Sequence, residues 1–440
     1  MAFRPRRRAV AFPRAAATRS SSVAYWLISS YKSQRNGMQV IIVGAGLIGL
    51  ATALQMLRRD SRLRVAVLEK ESEVALHQSG HNSGVLHAGL HYRAGSHKAR
   101  LAVRGIREMV AFCRANDVAY DVCGKLVVAT EKWELAGLHA LHERGNANGL
   151  TGLRLLNSSE ARAIEPEVRC IAALSVPEEG IVDYRAVARA MVREINARGG
   201  VIETRAWVKC ASRNGSVWVL ETDQNEYRAD LVINCAGLHA DRVASLMGVH
   251  YPIRIIPFRG DYYRLRPEKV RLVRNLIYPV PDTRFPFLGV HFTRMIHGGV
   301  ECGPNAVLAL KREGYGRLDV DWRDACDSLS FPGFWRFAGR HTGMVGAELL
   351  RSFSRRLFAN ALRRLLPALR EPDLIPGGSG VRAQAMRRDG TLVEDFLLYR
   401  EAMAVHVLNA PSPAATASLA IGDEIARLAT GIPGSASQCA

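Results

Sequence analysis

The stretch Met38-Gln39-Val40-Ile41-Ile42-Val43-Gly44-Ala45-Gly46-Leu47-Ile48-Gly49 decides the fold of this chain. A continuous apolar run enters a Gly-x-Gly-x-x-Gly turn, and Leu50 to Arg58 then carries the period of an amphipathic helix. Each glycine has its own reason. Gly44 permits the tight turn, Gly46 lets backbone approach a pyrophosphate, and Gly49 lets the helix pack close to the strand. A second apolar run, Val65 to Leu68, ends at Glu69, where a carboxylate suits the ribose hydroxyls of an adenosine and disfavours a 2′-phosphate. The pattern predicts a βαβ unit with a dinucleotide at the helix N-terminus, and FAD and NAD both satisfy it.

Outward from this unit, helical patterns are expected at Leu101 to Asn116 and Tyr184 to Arg198, with Gly199-Gly200 as the stop of the second. Gly124 to Thr130 and Val201 to Val208 read as strands, and Asp230 to Gly237 as a buried strand returning to the parallel sheet. From Gly248 to Asn305 proline, aromatic and β-branched residues alternate with turns, as in an antiparallel sheet. Pro332 to Arg370 is helical and rich in arginine and aromatics, and Gly377 to Thr430 returns through strands to a final helix. The expected class is α/β, a Rossmann-type dinucleotide domain interleaved with a mainly antiparallel-sheet substrate domain. Segments 38–130, 181–247 and 377–430 are assigned to the first, 131–180 and 248–376 to the second, and 431–440 to a tail.

The chain has 440 residues, 48% of them hydrophobic, which is enough for a sizeable core in two lobes. Its net charge of +19 is unevenly placed: eight Arg and Lys and no acid precede Met38, leaving about +11 for the rest. Residues 1–37, Arg- and Ser-rich and free of acids, have the composition of a mitochondrial transit peptide; a basic tail binding anions nonspecifically is the alternative. No stretch of about twenty uncharged apolar residues reads as a membrane span. The eight cysteines are scattered without Cys-x-x-Cys pairs, so neither a metal site nor a disulfide framework is expected. The basic residues are not interleaved with base-stacking aromatics, which argues against nucleic acid as a partner.

The choice between FAD and NAD rests on further motifs. His77-Gln78-Ser79-Gly80-His81-Asn82-Ser83-Gly84-Val85-Leu86-His87-Ala88-Gly89 is the longest; it is joined by Cys123 to Thr130, Pro257-Phe258-Arg259-Gly260-Asp261-Tyr262-Tyr263 and Pro286 to Arg294. Gly303-Pro304-Asn305-Ala306, Gly380-Val381-Arg382-Ala383-Gln384-Ala385 and Asn409 to Thr416 complete the set. Together they resemble the L-2-hydroxyglutarate dehydrogenase family, within the larger D-amino-acid-oxidase-like flavoprotein group, over nearly all of Met38 to Thr430.

The resemblance implies FAD across the interface of the two lobes, with oxidation of L-2-hydroxyglutarate to 2-oxoglutarate and electrons passed to a non-NAD acceptor. It places Asn82, Ser83 and Gly84 near the pyrophosphate and ring, backbone at Val208 near the adenine, and Ala236 and Gly237 beside the cofactor. The turn from Ser412 through Ala414 to Thr416 would close over it. A base, cations for two carboxylates and a fixed hydroxyl-bearing carbon are the chemical requirements. His87 is the first candidate base, with His291 as rival and His81 and His297 behind them. A histidine that only hydrogen-bonds within its loop is the alternative for His87. Arg382 is the first candidate for a carboxylate, supported by Arg259, Tyr262 and Arg294, any of which could equally be structural. His91 and His297 stand where the resemblance leads one to expect tyrosine and aspartate.

An amine or amino-acid oxidase using oxygen on the same scaffold is the second catalytic reading. A nucleic-acid-associated flavoprotein, motivated by the basic charge, is the reading from another class, and a non-catalytic Rossmann binding module is a fourth, against which the intact flavin-side motifs argue. The aromatic and basic helices of 332–370 could rest peripherally on the inner membrane and deliver electrons to a lipid-soluble acceptor, or simply cap the active site.

Overall fold

The computed structural model describes residues 37–282, 289–401 and 403–431. The expected leader, residues Pro286 to Leu288 of the motif above, nearly all of the 431–440 tail and Cys439 lie outside the described residues.

The apolar run after Met38 becomes the strand Gln39–Val43, and the helix after the glycine turn spans Leu47–Arg59. That strand is the centre of a six-stranded sheet, with Arg64–Leu68 and then Val201–Glu203 on one side and Leu231–Asn234, Ala404–Asn409 and Leu397–Glu401 on the other. All neighbours are parallel except the last pair. Its run is apolar without alternation because both faces are covered. Val40 and Ile42 pack in one cluster with Leu50, Leu54 and Ile425 of the helices, while Ile41 and Val43 pack in another with Trp218 and Leu220. Full burial of each such side chain contributes about 1.5–3 kcal/mol. Trp218 and Leu220 belong to an antiparallel three-stranded meander, Cys210–Asn214, Val217–Glu221 and Glu226–Ala229. The last helix, Ser418–Thr430, lies against Leu47–Arg59 so closely that a Cβ on Gly422 would come within 2.6 Å of the Ala51 carbonyl carbon.

The second lobe is built on a nine-stranded mixed sheet. Its long strands Ile253–Leu265 and Leu374–Arg387 pair antiparallel, with Phe258 opposite Arg382 and Arg259 opposite Val381. The strand Lys125–Ala129, expected within the first segment of the dinucleotide lobe, instead joins this sheet between Leu276–Pro279 and Ala172–Val176. A short apolar strand buried on both faces reads alike in either sheet, so only pairing decides. Of Val201 to Val208, only Val201–Glu203 forms a strand, although the Arg205 and Ala206 amides still donate to the Glu71 and Glu69 carbonyls. A fourth, small sheet holds Val85–Leu86, Gly180–Val182 and Tyr120–Asp121, with Leu86 opposite Gly180.

The helical segment after Phe331 divides into Pro332–Arg340, Thr342–Phe353 and Arg355–Arg363. Its large apolar residues divide between core and surface: Phe331, Phe337 and Phe358 are buried, while Trp335, Leu350, Phe353 and Leu357 are exposed. Among the described residues no helix is long and apolar enough to cross a membrane.

Candidate active site

One cavity of about 1950 Å³ runs from the glycine turn to the substrate-lobe sheet. That exceeds the roughly 300–1,000 Å³ typical of a single small ligand and suits a dinucleotide together with a substrate. Gly44, Gly46, Glu69, Asn82, Ser83, Val208, Ala236, Gly237, Ser412, Ala414 and Thr416 line it, as do His87, Tyr262, His291 and Arg382.

At the dinucleotide end the local geometry requires glycine. Gly44 has φ +103, and a Cβ on Gly49 would lie 1.9 Å from the Gly44 carbonyl oxygen, so helix and turn meet without side chains between them. Glu69 is nearly buried, and its carboxylate accepts the Ala45 amide at 2.8 Å and the Glu71 amide at 3.0 Å. It braces the glycine turn, and each oxygen keeps acceptor capacity with which it could hold a ribose hydroxyl of a bound FAD. The Leu47 amide at the helix N-terminus donates to Ser79 Oγ at 2.9 Å. These residues fit an FAD: a side-chain-free turn for the pyrophosphate, a carboxylate that could hold the ribose, and Val208 bounding the same space.

Asn82 uses its side chain within its own loop, donating to the Gln78 and Ser79 carbonyls and accepting the Gly84 amide at 2.9 Å. Gly84, at φ +67, turns the chain into Val85–Leu86. Thr416 joins the closing turn to that strand. Its Oγ1 accepts the His87 amide at 3.1 Å and lies 2.7 Å from the Tyr184 hydroxyl.

His87 follows Leu86, and Glu179 precedes Gly180, so strand pairing sets them opposite one another. His87 Nδ1 lies 3.4 Å from Glu179 Oε2, and Lys125 Nζ lies 2.7 Å from the same oxygen. The Lys125 and Glu179 side chains are both fully buried. Burial pushes the Glu179 carboxyl up, but the Lys125 ammonium and His87 outweigh it and hold it well below the usual carboxylate range. His291 stacks on Tyr278 at 3.9 Å, with Nδ1 3.2 Å from the Gly289 carbonyl oxygen, and burial drives its imidazole down to about 3. His91 is likewise driven to about 3 by burial, then by the nearby Lys125 charge, and neither ring nitrogen makes a hydrogen bond among the described residues.

Strand parity separates the candidate cations. Arg382 shares a sheet face with Phe258, its partner across the pair, whereas Arg259 is on the other face, paired with Val381. Arg259 does not line the cavity; its guanidinium donates to Asp261 at 2.8 Å and to the Gly316 carbonyl at 2.6 Å. Arg294 is also off the cavity wall and is paired with Asp121. Tyr262, two residues from Gly260, lines the cavity, and burial raises its hydroxyl to about 12. Lys98 and Arg144 bring two further cations to the lining, and burial lowers the Lys98 ammonium to about 8.

His81 lines the cavity, stacked 3.9 Å from Tyr315, with Nδ1 3.1 Å from the Ser379 carbonyl oxygen. His297 is exposed and lies 3.0 Å from Asp183, away from the cavity lining.

Ser79, Tyr184, Lys125 and Glu179 also support the site, though they were not marked out individually in the sequence. Lys125 carried a signal: a lysine opening the apolar strand Leu126 to Ala129, where a charge is costly unless paired. Glu179 carried none.

The pattern of the family described as FAD dependent oxidoreductase matches residues 39–428. The chain is 48% identical over 390 residues to an L-2-hydroxyglutarate dehydrogenase of Indibacter alkaliphilus, covering 88% of this chain and 97% of that one. It is 41% identical over 414 residues to the mitochondrial L-2-hydroxyglutarate dehydrogenase of Homo sapiens, covering 90% and 89%. In fold it is similar to an L-alpha-glycerophosphate oxidase of Mycoplasma pneumoniae with FAD bound, at TM-score 0.74 and 21% identity, covering 90% and 95%.

Proposed function

Because the chain belongs to the L-2-hydroxyglutarate dehydrogenase family of FAD dependent oxidoreductases, we propose that it oxidises L-2-hydroxyglutarate to 2-oxoglutarate and passes the electrons to a non-NAD acceptor. The observation that carries this reading is a single cavity joining the glycine turn to His87 and Arg382, in a chain 41–48% identical to enzymes of that name. The parallel-sheet lobe holds the cofactor and the nine-stranded sheet presents the substrate. Bound FAD supplies the hydride acceptor.

His87 takes the hydroxyl proton. It is preferred to His291 because a buried carboxylate faces it, while His291, held neutral down to about pH 3, has little affinity for a proton. Arg382 binds one carboxylate of the substrate, and Tyr262, which lines the same cavity, donates to it. The apolar and aromatic walls at Tyr278 and Val85 exclude water and strengthen these interactions. Oxidation of an amine or amino acid with oxygen is the weaker reading, since a glycine oxidase resembles the chain at only 18% identity. The test is to purify the chain from Met38 onward, record its visible spectrum and add acids anaerobically. L-2-hydroxyglutarate should bleach the flavin, and bleaching by amino acids alone would reject the proposal.

Residues 1–37 act as a mitochondrial address, as the name of the human relative suggests, and a fluorescent reporter fused to them should enter mitochondria. The exposed Trp335, Leu350, Phe353 and Leu357, beside Arg340, Arg355 and Arg356, rest on an anionic membrane surface and bring the protein to a lipid-soluble acceptor. Phe353→Ser with Leu350→Ser should abolish co-sedimentation with anionic vesicles; unchanged binding would remove this surface from the proposal.

A further inference from the structure

Neither Lys125 nor Glu179 lines the cavity, yet the pair lies directly behind His87. Its placement is built into the backbone. The pairing of Leu86 with Gly180 sets residue 179 opposite residue 87, and the Gly124 amide donates to the Glu179 carbonyl at 2.8 Å, which brings Lys125 alongside. Lys125 and His87 Nδ1 converge on one oxygen, Glu179 Oε2, at 2.7 and 3.4 Å. Neither the ammonium nor either carboxylate oxygen makes an aligned hydrogen bond among the described residues. Removing two charges from water costs more than such a pair returns unless the geometry is well satisfied, so stability alone gives no reason to keep it.

We propose that Glu179 is a positioning residue for His87: its carboxylate, balanced by Lys125, holds the imidazole proton on Nδ1 and leaves Nε2 as the proton acceptor. A carboxylate behind a histidine fixes the ring's tautomer and favours the imidazolium formed when the ring takes a proton. Lys125 keeps the carboxylate ionised and moderates its pull. The other titratable and charged groups facing His87 are His91, His291 and Tyr278, with Arg144 beyond His91 and Arg382 beyond His291. His91 and His291 are held neutral by burial, so Glu179 supplies the negative charge nearest to the ring. The part of this inference that concerns catalysis rests on His87 being the base; the part that concerns the tautomer does not.

The experiment uses the flavin-loaded enzyme labelled with 15N-histidine, the His87 signals being assigned by their loss in His87→Gln. The expected neutral form carries its proton on Nδ1. The apolar double variant Glu179→Leu with Lys125→Met, which removes both charges and avoids a lone buried ion, should lose that preference. A proton on Nε2 in the unmodified enzyme, or the same Nδ1 form in the double variant, overturns the proposal. Kinetics then test the consequence. The acid limb of kcat/KM for L-2-hydroxyglutarate should move to lower pH by about one unit or more in Glu179→Gln, where Lys125 is left alone, and to higher pH in Lys125→Met. A purely structural pair would lower activity in both without opposed shifts, and that result also overturns the proposal. If His87→Gln keeps the acid limb, the base assignment fails, while the NMR result still decides the positioning role.

Discussion

Thr416 Oγ1 accepts the backbone amide of His87 at 3.1 Å across 329 residues of sequence. The same hydroxyl lies 2.7 Å from the Tyr184 hydroxyl and 3.2 Å from the Val85 carbonyl oxygen, so one buried side chain ties the closing turn, the His87 strand and the helix Tyr184–Ala197 together. Thr416→Val keeps the shape and leaves the His87 amide without its acceptor. A buried polar group stranded in this way costs about 1–3 kcal/mol. The expected result is a lower melting temperature and slower flavin reduction, with Thr416→Ser close to the unmodified protein; equal melting of all three would remove Thr416 from the scaffold.

The glycine turn should respond differently at its two ends. A Cβ on Gly49 meets the Gly44 carbonyl oxygen at 1.9 Å, a backbone atom that cannot yield without breaking the turn. On Gly46 the nearest atom is Ser79 Oγ at 3.0 Å, a side chain that can rotate. Gly49→Ala should give little folded protein, whereas Gly46→Ala should fold but hold less FAD, and a bulky residue at 46 should hold none. Soluble yield and the flavin-to-protein absorbance ratio distinguish these outcomes.

Arg382→Ala should lower kcat/KM for L-2-hydroxyglutarate by about two orders of magnitude or more, since losing one partner of a charge-assisted pair costs several kcal/mol and each 1.4 kcal/mol is tenfold. Flavin content should be unchanged. Arg259→Ala should instead reduce stability, because it removes the nearest cation from the buried Asp261 and leaves it Arg317 at 3.7 Å and the Ser352 hydroxyl. Anaerobic flavin reduction at the unmodified rate, saturating at the same substrate concentration, would exclude Arg382 as the carboxylate ligand.

Acid should loosen the contact between the first and last helices. Burial pushes the Asp423 carboxyl up, but its ion pairs with Arg59, Arg427 and Arg104 outweigh this and bring it from 3.8 to about 2. A folded value below the unfolded one means that the stabilisation is complete above pH about 4 and is lost as pH falls toward 2. The melting temperature should therefore drop across that window, and Asp423→Asn should melt lower at neutral pH with a shallower acid dependence. Parallel acid curves for the two proteins would show that Asp423 carries none of the effect.

The sequence by itself determined what depends on near neighbours. The strand, turn and helix of Gln39 to Arg59, the acid at Glu69 and the glycines that the turn demands are legible because their causes are local: apolar period, backbone sterics and spacing within one βαβ unit. The flavin-side motif around Asn82 to His87 was legible as a loop, and the cavity gathers it with Arg382 and Thr416. Tertiary structure decided the rest. Whether Lys125–Ala129 joined the parallel or the mixed sheet depended on pairing partners about 150 residues away. Whether Arg259 or Arg382 reached the cavity was set by where the two paired strands lie in the fold and by the Asp261 and Gly316 partners that hold Arg259 away from it. The Glu179 carboxylate behind His87, 92 residues along the chain, exists only because Leu86 pairs with Gly180. Register and long-range pairing are set by the sum of many weak contacts over the folded chain, and no local pattern in the sequence encodes that sum.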